Sequence, residues 1–63
     1  MNEQKRVLIA DGSEEFRRML ADMMETEEDL MLAGQTGDGE ELLRLVREHH
    51  PDVVVMDLLL TGM

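Results

Sequence analysis

Two aspartates in this 63-residue chain, Asp11 and Asp57, each come directly after a short apolar run. Asp11 follows Val7–Ala10, and Asp57 follows a run that starts at Val53. Carboxylate oxygens are ligands that Mg²⁺ prefers, and a carboxylate can also attack phosphorus to form an aspartyl phosphate. Each aspartate could instead simply end its strand, and Asp11 could help to cap the helix that follows. The pair becomes a candidate site if the fold brings the two carboxylates together.

The elements that carry these aspartates alternate between strand and helix. Short apolar runs predict strands, and apolar residues at helical spacing predict amphipathic helices. Ser13 is typical of a helix N-cap, and Asp38 with Glu41 resembles a capping box. Pro51 ends the second helix, because the residue before a proline is disfavoured in the α region. The predicted bounds are β1 5–10, α1 14–25, β2 30–35, α2 39–49 and β3 52–57.

This alternation predicts an α/β fold, one half of a doubly wound parallel sheet with right-handed crossovers. In the strand order 2-1-3 the first and third strands are neighbours, and α/β sheets bind ligands beyond the carboxyl ends of their strands. Asp11 and Asp57 are then expected in one crevice, where a cation between them would relieve their repulsion. The unbroken apolar centre of β3 is typical of a strand covered on both faces.

Composition limits the classes of function. Fifteen acidic and six basic residues give a net charge of −9. This charge repels nucleic-acid phosphates and anionic membranes, so we expect no direct contact of this segment with either. The absence of cysteine fits a reducing, cytoplasmic setting. His49 and His50 lie at the predicted end of α2, where positive charge is favourable, and we prefer that role to metal binding. No nucleophile–base pair or glycine-rich phosphate loop is evident in the sequence, so we do not predict an enzyme.

Three segments of the chain resemble the receiver domain of bacterial response regulators, which has a CheY-like, flavodoxin-like fold. VLIADGSEEFRRML is similar to the first strand and helix of that family, and DLMLAGQTGDGEELLRLV to the second strand and helix. HPDVVVMDLLLTGM is similar to the phosphorylation segment. The resemblance is to receivers of sporulation-type and other DNA-binding response regulators. It implies two-component signalling, with phosphorylation by a histidine kinase or a phosphotransfer protein.

The resemblance also implies roles for individual residues. Asp57 matches the phosphoacceptor, and Asp11 matches the first member of an acidic pair that holds Mg²⁺. The backbone carbonyl of Leu59 matches the main-chain ligand of the metal. Gly12 stands where the family has the second acidic residue, so we expect weakened Mg²⁺ binding. Thr61 replaces the usual proline, which should loosen the loop after the acceptor.

The resemblance further implies that residues 1–63 are the N-terminal half of a receiver. The Ser or Thr of a fourth strand and the Lys of a fifth would then lie outside the segment, and we expect the segment alone to be inactive. Without a fourth strand, Val53–Met56 would form an exposed apolar edge that invites pairing. We therefore expect self-association into a homodimer through β3, with strand order 2-1-3-3-1-2. The alternative is a degenerate receiver that is not phosphorylated and acts as a protein-interaction or dimerisation module.

Overall fold

A computed structural model describes residues 3–60 and residue 62 of the chain. Its elements, in chain order, are β1 Lys5–Ala10, α1 Glu14–Glu25, β2 Leu30–Thr36, α2 Gly39–His49 and β3 Val53–Met56. The strands form a parallel sheet in the order β2-β1-β3. The α/β fold and the strand order predicted from the sequence are confirmed. Thr61, and with it the expected effect on its loop, lies outside the described residues.

β1 is the central strand and the best buried element of the fold. Its residues Val7–Ala10 are all buried, because β1 has a strand on either side and α2 packs on one of its faces. It pairs with β2 along its whole length and with β3 from Val7 to Ala10. Within residues 3–60 and 62, no helix is long and apolar enough to cross a membrane.

β2 differs in two details from its prediction. The register with β1 shifts between Val7 and Leu8, so Ala33 is an extra residue without a partner in β1. The strand also ends at Thr36 rather than at residue 35. The backbone carbonyl of Thr36 accepts a hydrogen bond of 3.0 Å from the backbone N–H of Asp11, which extends the ladder by one step.

β3 is shorter than the predicted range 52–57, and it is less covered than its apolar sequence suggests. Asp52 and Asp57 flank the strand, and their backbone N–H groups donate to the carbonyls of Arg6 and Ala10 at 2.8 and 2.9 Å. The chain bends at Asp52 and turns at Leu58 and Leu59, so the regular strand is limited to Val53–Met56. Its four side chains are 36–44% exposed, because β3 lies at the edge of the sheet. The expectation that both faces are covered is wrong for the residues that the structure describes.

α1 packs on the sheet beside β2 and leaves much of its apolar stripe exposed. Ser13 caps the helix as predicted, with its Oγ accepting from the backbone N–H of Phe16 at 3.1 Å. Phe16, Met19 and Met23 are 39%, 51% and 59% exposed. Between α1 and the β1–β3 part of the sheet lies an open apolar groove of about 330 Å³, lined by Val7, Ile9, Leu20, Met23, Met24, Glu27, Leu30, Val53 and Val55.

α2 covers the opposite face of the sheet. Asp38 is its N-cap, with Oδ2 accepting from the backbone N–H of Glu41 at 3.0 Å. The reciprocal half of the predicted capping box is not observed in the described part of the chain, since the Glu41 carboxylate pairs with Arg44. The helix ends at His50, which adopts a left-handed conformation with φ 46°. The buried core on this face contains Leu8, Ala10, Leu42 and Leu60.

Candidate functional site

The two predicted aspartates lie next to each other at the carboxyl edge of the sheet. Ala10 of β1 and Met56 of β3 are partners in the parallel register, and Asp11 and Asp57 are the residues that follow them. Neighbouring strands are about 4.8 Å apart, so one small cation could contact both side chains. Both aspartates are half-buried. The structure thus brings these two residues together, at the edge where α/β sheets bind ligands.

The two carboxylates are held in the same way. Oδ1 of Asp11 accepts from the backbone N–H of Ser13 at 2.8 Å, and Oδ1 of Asp57 accepts from the backbone N–H of Leu59 at 2.9 Å. Both bonds span two residues, an arrangement in which an aspartate stabilises the turn that it begins. Within the described residues, Oδ2 of each aspartate accepts no hydrogen bond from the protein. Each side chain therefore has one oxygen fixed by the backbone and one available to a ligand.

The turn after β3 is anchored by one of three consecutive leucines. Leu60 is buried in the core, and its backbone N–H donates to the carbonyl of Asp57 at 3.1 Å. Leu58 and Leu59 are 93% and 85% exposed. The carbonyl of Leu59, the predicted main-chain metal ligand, lies on this exposed turn. Burial of Leu60 thus holds the turn, and with it the backbone on which Asp57 and Leu59 lie.

Gly12, which directly follows Asp11, has room for a side chain. A Cβ atom added there would have no atom of residues 3–60 or 62 within 4 Å. Its backbone does not have the positive φ that favours glycine, since Gly62 is the glycine of the described residues with such an angle. Neither space nor backbone conformation requires glycine here. The second acidic residue of the receiver-domain family, which this sequence resembles, would fit at this position.

The donor atoms present are compatible with a magnesium ion. Mg²⁺ is usually bound by one or two carboxylates and keeps several water molecules. Asp11 and Asp57 supply two carboxylates at one edge of the sheet, each with one oxygen that accepts no hydrogen bond from residues 3–60 and 62. Residues 3–60 and 62 contain no group of three or more His, Cys, Asp or Glu side chains placed to hold a metal. Two carboxylates, with water molecules in the remaining positions, are a ligand set that Mg²⁺ accepts.

Other acidic residues and the histidines lie away from this edge. Asp52 lies at the amino end of β3, where its Oδ2 accepts from the backbone N–H of Arg6 at 2.8 Å. Asp38 caps α2. His49 and His50 lie at the carboxyl end of α2, as predicted, and the backbone carbonyl of His49 accepts from Nε of Arg6 at 3.0 Å. The contacts of these residues stabilise the ends of the strand and the helix on which they lie.

Sequence reasoning missed Arg17, a basic side chain at the edge of the site. Its Nη1 donates to the backbone carbonyl of Asp11 at 2.5 Å, and its Nε donates to Oε1 of Gln35 at 3.3 Å. The helical spacing could have indicated this residue. Arg17 lies three residues before Leu20 and seven residues before Met24. Those positions share the face of α1 that is turned toward the sheet.

Comparison with known proteins adds independent information. The sequence pattern of the family described as the response regulator receiver domain matches residues 7–63. The transcriptional regulatory protein LiaR of Bacillus subtilis is 43% identical over 58 residues, which are 92% of this chain and 28% of LiaR. A protein-glutamate methylesterase/protein-glutamine glutaminase of Syntrophomonas wolfei is 44% identical over 55 residues, 87% of this chain and 16% of that protein.

Structural comparison agrees with the sequence matches. A solved structure of the RcsB response regulator of Salmonella typhimurium superposes with a TM-score of 0.89 and 24% identity. The match covers 98% of this chain and 30% of RcsB. At this identity the likeness supports the fold alone. The chain spans less than a third of the length of each of these relatives.

Proposed function

This chain belongs to the response regulator receiver domain family, and from that premise we propose that it acts in two-component signal transduction. In this proposal it is the phosphoacceptor segment of a response regulator, and in the full-length parent protein Asp57 receives a phosphoryl group from a histidine kinase or a phosphotransfer protein. The observation that carries the proposal is the side-by-side position of Asp11 and Asp57 at the carboxyl edge of a parallel sheet. The alternative of a degenerate, unphosphorylated module is not favoured by the comparisons.

The proposed chemistry uses Oδ2 of Asp57, the oxygen that accepts no hydrogen bond from the part of the chain that the structure describes. Oδ2 would attack phosphorus and form a new P–O bond, while the bond between phosphorus and the donor nitrogen or oxygen breaks. The electron pair of the broken bond leaves with the donor atom, which takes up a proton from water. The backbone N–H of Leu59 holds the other oxygen of Asp57 during this step.

Magnesium is the cofactor that the family implies, and we propose that Asp11, Asp57 and the backbone carbonyl of Leu59 would hold it. When bound, Mg²⁺ would neutralise charge on the carboxylates and on the incoming phosphoryl group. Because Gly12 supplies no carboxylate, we propose that binding is weaker than with an acidic residue at this position. Residue 12 is therefore the place at which metal affinity can be tested.

The relatives suggest more than one function for the parent protein of this segment. LiaR and PdtaR, which is 43% identical over 54 residues, are named transcriptional regulatory proteins, whereas the Syntrophomonas wolfei relative is named as an esterase and glutaminase. We propose that the parent protein is a cytoplasmic, DNA-binding regulator, in which this segment itself neither contacts nucleic acid nor catalyses a separate reaction. The net charge of −9 supports the exclusion of direct nucleic-acid contact.

We also propose that the isolated chain forms a homodimer through β3. Val53–Met56 form an edge strand with 36–44% exposed side chains, and their outer backbone groups have no strand partner within residues 3–60 and 62. An exposed apolar edge favours pairing with another strand, and a two-fold axis would let one copy serve as the partner of the other. Antiparallel pairing of two β3 strands would give the sheet order 2-1-3-3-1-2.

The phosphoacceptor proposal is tested with Mg²⁺ and beryllofluoride, a stable phosphoryl analogue, added to the ¹⁵N-labelled chain. We expect the amide resonances of Asp11, Asp57 and Leu59 to shift together. Asp57→Asn should abolish the shifts, because it removes the carboxylate while keeping the shape of the side chain. Asp52→Asn, which changes a carboxylate at the opposite end of the same strand, should keep them. Equal shifts in the presence of Asp57→Asn would contradict the assignment.

A further inference from the structure

We propose that Arg17 is a positioning residue that holds Asp11 in the geometry that the site requires, an inference that rests on the proposed function of Asp11 and Asp57. The guanidinium of Arg17 connects α1 to the ends of two strands. Nη1 donates to the backbone carbonyl of Asp11 at 2.5 Å, and Nε donates to the side chain of Gln35 in β2 at 3.3 Å. The residue is half-buried, and both bonds come from a charged, planar donor.

Gly37 gives a second observation in favour of this arrangement. A Cβ atom at this position would lie 2.9 Å from Nη1 of Arg17 and 3.5 Å from the backbone oxygen of Asp11. The first distance is shorter than side chains tolerate, so a larger residue would displace the guanidinium. The space that Arg17 occupies beside Asp11 therefore depends on the absence of a side chain at residue 37.

The position of Asp11 needs such support because Gly12 follows it. Glycine restricts the backbone least, and a Cβ atom at residue 12 would have no atom of the described residues within 4 Å. The N–H of Asp11 is held by Thr36, and its Oδ1 is held by Ser13. The carbonyl of Asp11 belongs to the peptide plane that joins it to Gly12, and Arg17 holds that plane. Without this bond, the peptide would be held less firmly, by the two remaining hydrogen bonds alone, and Asp11 would bind a metal with a greater loss of entropy.

Arg17 has two opposing effects on the affinity of the site for Mg²⁺, one from its charge and one from its hydrogen bond. A positive charge beside Asp11 repels Mg²⁺, whereas the hydrogen bond to the carbonyl favours binding by fixing the ligand. Arg17→Lys separates the two effects, because lysine keeps the charge but lacks the planar donor pair. Arg18→Lys is the matched control, since Arg18 pairs at 3.1 Å with Glu14 of the same helix and both side chains are exposed.

The experiment measures the Kd of Mg²⁺ by calorimetry for the wild-type chain and for variants Arg17→Lys, Gly37→Ala, Gln35→Ala and Arg18→Lys. Loss of a residue that orients a metal ligand weakens binding by about tenfold or more. We expect about a tenfold rise in Kd for Arg17→Lys and for Gly37→Ala, a smaller rise for Gln35→Ala, and no change for Arg18→Lys. Circular dichroism checks that each variant is folded. If Arg17→Lys or Gly37→Ala unfolds the chain, the Kd of Gln35→Ala still tests the inference.

A second readout needs no metal and separates this inference from the proposed function. The ¹⁵N relaxation of the Gly12 and Ser13 amides reports how firmly the peptide after Asp11 is held. We expect increased motion at both amides in Arg17→Lys and Gly37→Ala, and unchanged motion in Arg18→Lys. If the wild-type chain does not bind Mg²⁺, the proposed function is refuted. The relaxation data then still show whether Arg17 holds the peptide that follows Asp11. Unchanged amide motion and unchanged Kd in folded variants would overturn the inference.

Discussion

Replacing Gly12 with aspartate should tighten the binding of Mg²⁺ to the aspartate site. The added side chain has room among the described residues, because a Cβ at this position has none of their atoms within 4 Å, and the backbone does not have a positive φ. The new carboxylate would lie one residue from Asp11, at the edge of the sheet that also contains Asp57. The substitution therefore adds a third acidic group without disturbing the packing.

The magnitude follows from the exposure of this position. Two unit charges about 4 Å apart interact by about 1 kcal/mol in bulk water and about 4 kcal/mol at the effective dielectric of a protein surface. Gly12 is exposed, so the lower value applies, and the double charge of Mg²⁺ raises it to about 2 kcal/mol. This corresponds to roughly a 30-fold decrease in Kd. The metal-free chain should become slightly less stable, because three carboxylates then repel one another.

The assay is calorimetric titration of Mg²⁺ into Gly12→Asp and into Gly12→Asn. Asparagine matches aspartate in size and lacks its charge, so the difference between the two variants isolates the charge of the carboxylate. A thermal unfolding series should show a larger Mg²⁺-dependent rise in Tm for the aspartate variant, since a ligand stabilises the state that binds it. Equal Kd values for the two variants would refute the idea that Gly12 limits metal affinity.

Two further predictions concern the turn after β3 and its exposed edge. Leu60→Ala should cost about 2–5 kcal/mol of unfolding free energy, because Leu60 is buried in the core, whereas Leu59→Ala should be nearly neutral because Leu59 is 85% exposed. Chemical denaturation of both variants measures the difference, and equal stabilities would contradict the anchoring role of Leu60. Val54→Glu should prevent association through β3 and unfold the chain, whereas Leu58→Glu, outside the strand, should leave it associated. Sedimentation equilibrium tests this, and a folded monomeric wild-type chain at micromolar concentration would contradict it.

The alternation of strands and helices could be predicted from the sequence because it depends on local signals. Apolar runs predicted the strands, and Ser13 and Asp38 predicted the helix starts through side chains that bond their own first turn. The predicted bounds of β1, α1 and α2 coincide with those of the structure. The order 2-1-3 followed from general rules for parallel sheets, and it placed Asp11 and Asp57 at one edge.

The features that the sequence did not predict depend on contacts between distant residues. Nothing local distinguishes Leu60 from the two exposed leucines before it, because burial of Leu60 depends on where α2 lies. The extra residue Ala33 in β2 arises from pairing with β1. The exposure of β3 likewise reflects its place at the edge of the sheet rather than its own apolar composition.

Two adjacent arginines show that the local sequence does not predict which atoms a side chain contacts. Arg17 and Arg18 are identical in type and adjacent in sequence, yet Arg17 binds the carbonyl of Asp11 while Arg18 pairs with Glu14 on the surface of the helix. A helical repeat indicates which of the two faces the sheet, but it does not identify the atom that the side chain contacts. That contact depends on Gly37, which leaves the space for the guanidinium.

The most direct measurement uses Mn²⁺ as a paramagnetic substitute for Mg²⁺ and follows the broadening of amide resonances in the ¹⁵N-labelled chain. One ion held by both carboxylates should broaden the amides of Gly12 and Leu58 at a low Mn²⁺ concentration, and Asp11→Asn and Asp57→Asn should each move the broadening of both amides to a much higher concentration. If either substitution leaves the Mn²⁺ concentration dependence unchanged, then Asp11 and Asp57 do not share a cation and the account is contradicted.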